Sequence, residues 1–313
     1  MFNRYWRSYP WYFQLLQFII LIAVMASFFV FALTPLLMNM MGVAITDITS
    51  INENSPRRVI DAALLFQFFS AIGIFLLPAL LFGYFTHPRP ARYLGLVKPG
   101  NTLHWLLPIL IMLGATPLFL GIAELVSHLN LGEAAKKAQE ANDQAFKGLL
   151  AMSSPFHLII SIVVLAVLPG LSEELFFRGV LMRFVAKRSQ TIYFPIIISA
   201  LMFALMHSNV YGLPSIFLAG CLLALIYYLT GSIWCSIIAH MFFNGLQVVI
   251  TYLAGNNSSM KAINDTNSVP LSWVLIGAVI FAAGMYMLWK TRTPLPADWS
   301  ADYTTEELME GEQ

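Results

Sequence analysis

Six side chains with chemistry to offer sit inside runs otherwise built from Leu, Ile, Phe and Ala. Glu173, Glu174 and Arg178 share one run, His207 closes a second, and His240 and Asn244 lie in a third. Ionisable groups at membrane depth are costly and as a rule face a cavity or each other, so each is a functional candidate. Spacing sorts their roles. Glu174 and Arg178 stand four apart, share a helix face and can neutralise one another as an ion pair. Glu173 is turned about 100° from Glu174 on a helix. It is free to face a different environment, where partial desolvation and a neighbouring carboxylate would make it a working general base. His240 and Asn244 are again four apart and can aim two donors at one developing oxyanion. His207, from a separate helix, could orient the attacking water beside Glu173 or protonate a leaving amine. The set as a whole suits hydrolysis of a peptide bond by an activated water.

The elements that must carry these groups are transmembrane helices. Of 313 residues, 58% are hydrophobic and 11% charged, where an ordinary soluble domain is about a quarter charged. A soluble fold could not bury that much apolar surface. A span needs about 20 mostly apolar residues, and eight stretches qualify approximately: 12–40, 62–85, 103–126, 156–187, 193–207, 213–230, 232–254 and 269–289. The expected fold class is therefore all-α, a polytopic bundle of about eight spans. The first stretch is too long for a signal peptide and reads as a retained span. In the fourth, Pro169-Gly170 is expected to break or kink the helix four residues before its most polar part.

Charge placement suggests an orientation. Of the 17 Lys and Arg residues, ten fall in one set of alternate loops, six in the other, and Arg178 within a span. The positive-inside rule then puts both termini in the cytoplasm, which requires an even number of spans. The chain divides into 1–150, N-terminal helices with an extracytoplasmic amphipathic segment; 151–255, a catalytic core; and 256–313, the last span with an acidic cytoplasmic tail.

The remaining features are quieter. Leu131 to Leu150, rich in Ala, Glu, Lys and Gln, is expected to be a surface helix outside the cytoplasm. The tail after Arg292 carries Asp298, Asp302, Glu306, Glu307, Glu310 and Glu312 without a basic residue, a composition that usually stays solvated and mobile. Cys221 and Cys235 read as small buried hydrophobes. His87, His104, His128 and His157 fall at span ends or in loops, and Glu124 near an interface; none is assigned chemistry. A net charge of +1 with no basic stripe excludes a nucleic-acid partner. There is no phosphate loop, paired-Cys motif or Ser nucleophile elbow, and the lack of an internal repeat weakens a transporter built from inverted halves.

Glu173-Glu174-x-x-x-Arg178, Phe203-x-x-x-His207 and His240-x-x-x-Asn244, in that order and each in an apolar span, resemble the motifs of the CPBP family of intramembrane proteases. That family includes CAAX prenyl proteases and bacterial bacteriocin-processing or immunity proteins, and the resemblance covers roughly residues 155 to 250. It implies a multi-pass protein, of the plasma membrane if bacterial, acting on a membrane-associated protein or peptide. By that likeness Glu173 activates water, Glu174 and Arg178 support it as an ion pair, and His207 is its catalytic partner. His240 and Asn244 would stabilise the tetrahedral intermediate. The resemblance favours a mechanism that requires no cofactor, although zinc held by Glu173, His207 and His240 would have acceptable ligand chemistry. Two rivals stand beside the protease: a non-catalytic scaffold or immunity protein that binds a membrane partner, and a proton-coupled transporter using the same buried carboxylates.

Overall fold

The computed structural model describes residues 5–256 and 268–302 and, among them, consists of helices and connecting segments without a strand. Seven helices are long and apolar enough to cross a membrane. They are α1 (Trp11–Met40), α2 (Arg57–Thr86), α3 (Leu107–Ser127), α5 (Pro155–Ala186), α7 (Leu213–Thr230), α8 (Ile233–Asn256) and α9 (Leu271–Thr291). Between α3 and α5 runs the polar helix α4 (Glu133–Leu149), mostly exposed until Gly148 and Leu149 bury against Ile51 and Asn52. The fifth predicted span is α6 (Tyr193–Met206), apolar but only 14 residues long. The protein is an integral, multi-pass helical bundle.

Burial ranks the helices. In α7, 56% of the apolar window is buried inside the protein, against 11% in α1 and 17% in α9. Helix α7 is therefore central, while α1 and α9 present apolar side chains outward, as lipid-facing helices do. One core cluster joins α1, α2, α5 and α7 through Phe18, Phe82, Phe184 and Tyr227, and a second joins α3, α7, α8 and α9 through Ile111, Ile226, Ala239 and Leu288. Small residues set the closest crossings. A Cβ on Gly114 would stand 2.5 Å from the backbone N of Phe281, so α3 and α9 touch almost backbone to backbone.

Three prolines within the spans follow widened turns instead of ending their helices. Pro35, Pro78 and Pro169 each follow a stretch of π turns, at Ser27–Leu33, Ala71–Leu76 and Val163–Val167. Proline lacks the N–H for the i→i−4 bond and its ring crowds that carbonyl; one wider turn relieves both and lets the helix continue. Thr34, just before Pro35, closes its π stretch by donating both its backbone N–H and its hydroxyl to the Phe29 carbonyl, the hydroxyl at 2.6 Å. At Pro169-Gly170, where a break or kink was expected, the helix does not end. Helix α5 runs on for 32 residues, and Gly170 serves a different purpose, the approach of α8 described below.

The turn between α7 and α8 is held from two sides. Gly231 takes φ +66° as the left-handed C-terminal cap of α7. Ile233 N–H donates to the Gly95 carbonyl at 3.0 Å, and on the other side Thr293 N–H donates to the Leu229 carbonyl at 2.8 Å. The segment after Arg292 thus departs from the solvated tail expected from its composition. Trp299 is buried with its carbonyl accepting from Arg183, and Asp302 pairs with Lys187. A large aromatic and a buried cation outweigh acidic composition over residues 293–302; Glu306, Glu307, Glu310 and Glu312 lie outside the described residues.

Candidate active site

Close packing of α5 on α8 creates the site. A Cβ on Gly170 would lie 2.6 Å from Met241 Cγ and 3.0 Å from Met241 N, so the α5 backbone packs directly on Met241 of α8. One turn further along α5 come Glu173 and Glu174; one residue back along α8 comes His240.

Glu174 is fully buried and fully engaged. Its Oε1 accepts from Arg178 at 2.7 Å and lies 3.0 Å from His240 Nδ1, while its Oε2 accepts from the Ser236 hydroxyl. Arg178, also fully buried, donates a second bond to the Gly220 carbonyl at 2.8 Å and lies 4.8 Å from the centre of the Phe203 ring. Helix α5 makes π turns over Leu175–Leu181, so the helix is wide where it carries this guanidinium. A buried charge is tolerable only when paired and hydrogen-bonded, and Glu174 with Arg178 meets that condition through α5, α7 and α8.

Glu173 faces elsewhere. Its side chain is 16% exposed against 0% for Glu174, and its Oε2 lies 3.9 Å from His240 Nε2 without a hydrogen-bond partner among the described residues. His240 therefore bridges the two acids, one ring nitrogen toward each. A carboxylate at Nδ1 fixes the ring's orientation and assigns Nδ1 as donor, which leaves Nε2 facing the reaction centre.

His207 and Asn244 reach the same region from the other side. They line, with His240, a cavity of about 170 Å³ between α3, α6, α7 and α8. His207 Nδ1 is 2.8 Å from the Phe203 carbonyl, and the imidazole lies 4.7 Å from that ring at a 56° tilt, so its Nε2 is the nitrogen available to the cavity. All six residues singled out from the sequence thus fall at one junction. The spacing arguments missed Ser236 and the Gly220 carbonyl. A signal existed for Ser236, four residues before His240 on the same face of α8; a backbone carbonyl on another helix leaves none.

Glu173, His207 and His240 are the right residue types for three-ligand zinc, and a carboxylate at His240 Nδ1 leaves Nε2 as the nitrogen a metal would use. Among the described residues, no group of three His, Cys, Asp or Glu is gathered closely enough to hold a metal ion. The four remaining histidines stand apart from the junction; His104 is buried against Thr291, 3.2 Å from its hydroxyl.

Residues 155–246, under a third of the chain, match a protein family described as type II CAAX prenyl endopeptidase, Rce1-like. The matched segment begins at the first residue of α5 and ends two residues beyond Asn244, so it holds the six candidate residues together with Ser236 and Gly220. No curated protein and no solved structure matched the chain.

Proposed function

We propose that the protein is an intramembrane endopeptidase that hydrolyses a peptide bond in a membrane-associated protein or peptide with a water activated by Glu173. The observation that carries this reading is the division of labour between adjacent carboxylates. Glu174 is saturated by Arg178, Ser236 and His240, whereas Glu173 Oε2, a buried atom on a side chain that is 16% exposed, has no hydrogen-bond partner among the described residues and lies 3.9 Å from His240 Nε2. A saturated carboxylate holds structure; an unsaturated one can take a proton.

In this mechanism Glu173 removes a proton from water as the oxygen attacks the scissile carbonyl. The Asn244 amide and the His240 Nε2–H, when that ring carries both protons, donate to the oxyanion. The proton taken by Glu173, or one relayed by His207, then passes to the leaving amine as the C–N bond breaks. Burial among helices lowers the local dielectric and strengthens each of these interactions. The family match over 155–246 supports the same reaction class.

The test compares peptides released from native membranes holding wild type or Glu173→Gln at matched abundance, with and without a chelator. Release that depends on Glu173 and survives chelation is the expected result. Loss on chelation would restore zinc as a participant. Equal peptide release from both proteins would refute proteolysis and favour a scaffold that acts by binding.

A further inference from the structure

The cavity beside His240 and Asn244 has a use that hydrolysis alone does not assign. Its polar edge is formed by His207, His240 and Asn244; the Ser215 hydroxyl, on the same wall, is already spent on the Phe119 carbonyl at 2.9 Å. The remaining lining is apolar, with Met112 and Phe119 from α3, Ala219 and Leu223 from α7, and Phe243 from α8. An apolar pocket that opens onto the groups proposed to hold the scissile carbonyl can receive only what is attached close to that carbonyl. Successive Cα atoms are about 3.8 Å apart, so the occupant belongs to a residue adjoining the bond that is cut.

Size narrows the occupant. An apolar cavity of about 150 Å³ holds one benzene molecule, so about 170 Å³ admits one aliphatic or aromatic side chain. A whole prenyl chain, with more than twice the carbon atoms of benzene, exceeds that volume. We infer that this cavity is a specificity pocket for a single apolar side chain next to the scissile bond, with Ala219 and Leu223 setting its size. The inference rests on the protease reading and names the substrate feature that the protease selects.

Selection follows from burial: one methylene more or less in a hydrophobic pocket changes kcat/KM by about 10- to 200-fold. Ala219 and Leu223 are both buried and neither is part of the proposed catalytic machinery. Ala219→Leu fills the pocket and Leu223→Ala enlarges it.

The experiment incubates full-length protein in proteoliposomes with a library of apolar-anchored peptides randomised over consecutive positions, and reads products by mass spectrometry. Wild type, both variants and Glu173→Gln are compared. The expected result is Glu173-dependent cleavage with an apolar preference at one position. Ala219→Leu shifts that preference about tenfold or more toward Ala and Gly, and Leu223→Ala shifts it toward Phe and Trp. If Ala219→Leu fails to accumulate, Leu223→Ala alone decides. Glu173-dependent cleavage with the same preference in wild type and variants would overturn the pocket assignment and leave the protease standing. Absence of any Glu173-dependent cleavage would overturn both.

Discussion

Replacing Arg178 by Met tests whether the buried ion pair is the structural foundation of the site. The substitution removes the 2.7 Å bond to Glu174, the 2.8 Å bond to the Gly220 carbonyl and the contact with the Phe203 ring, all at a fully buried position. Glu174 keeps Ser236 and His240 but loses its permanent counter-charge. Removing one partner of a buried ion pair costs about 3–5 kcal/mol, or roughly two to three and a half orders of magnitude in the folded-to-unfolded ratio at about 1.36 kcal/mol per decade. An ordinary interhelical hydrogen bond in a membrane is worth only about 0.6 kcal/mol on average, so the two descriptions of Arg178 predict different outcomes. Unfolding in mixed micelles with increasing SDS, followed by circular dichroism, measures the difference. Arg178→Lys restores the charge but cannot reach Glu174 and Gly220 with a planar fork, and is expected to lie between the two. A loss below about 1 kcal/mol for Arg178→Met would refute the claim that this pair holds α5, α7 and α8 in register.

Further consequences follow from the same geometry. Ser236→Ala deletes the donor to Glu174 Oε2 and is expected to cost about 1.5–3 kcal/mol, the value of a hydrogen bond to a charged group; it should lower kcat with little change in KM, as steady-state kinetics would show. Gly170→Ala forces a methyl against the Met241 backbone and should cost about 1–3 kcal/mol by overpacking, with activity falling as α5 and α8 separate. The matched control, Gly245→Ala, meets only Ala166 Cβ at 3.7 Å and should be neutral in the same unfolding assay. Burial pushes the Tyr93 hydroxyl, outside the spans, up to about 12 from 10.0, with the Arg183 guanidinium over its ring acting the other way. Between pH 10 and 12 the unfolded chain has released this proton and the folded one has kept it, so stability falls as pH rises through that window. Two pH units correspond to about 3 kcal/mol, and Tyr93→Phe should flatten the alkaline decline of the melting temperature.

Much of the site was legible before any coordinates because its members obey helical periodicity. Residues four apart on a helix share a face whatever surrounds them, so the Glu174 and Arg178 pairing, the separation of Glu173 from Glu174, and the common direction of His240 and Asn244 could be read from numbering alone. Apolar length did the same for the spans, since the bilayer sets a minimum that composition must satisfy. Three features were decided only by tertiary structure. Pro169-Gly170 was expected to break or kink its helix, but α5 runs on through it after the π turns at Val163–Val167, and Gly170 serves instead for the close approach of Met241 of α8. The segment after Arg292 looked solvated because composition counts charges and not partners, and one buried Trp with Arg183 and Lys187 reverses the balance. The engagement of both Glu174 oxygens needed Ser236 and His240 from another helix, and Arg178 needed the Gly220 carbonyl from a third. Periodicity is a property of one helix and is written in its own sequence; saturation of a buried charge is a property of the junction between helices, which exists only once they have packed.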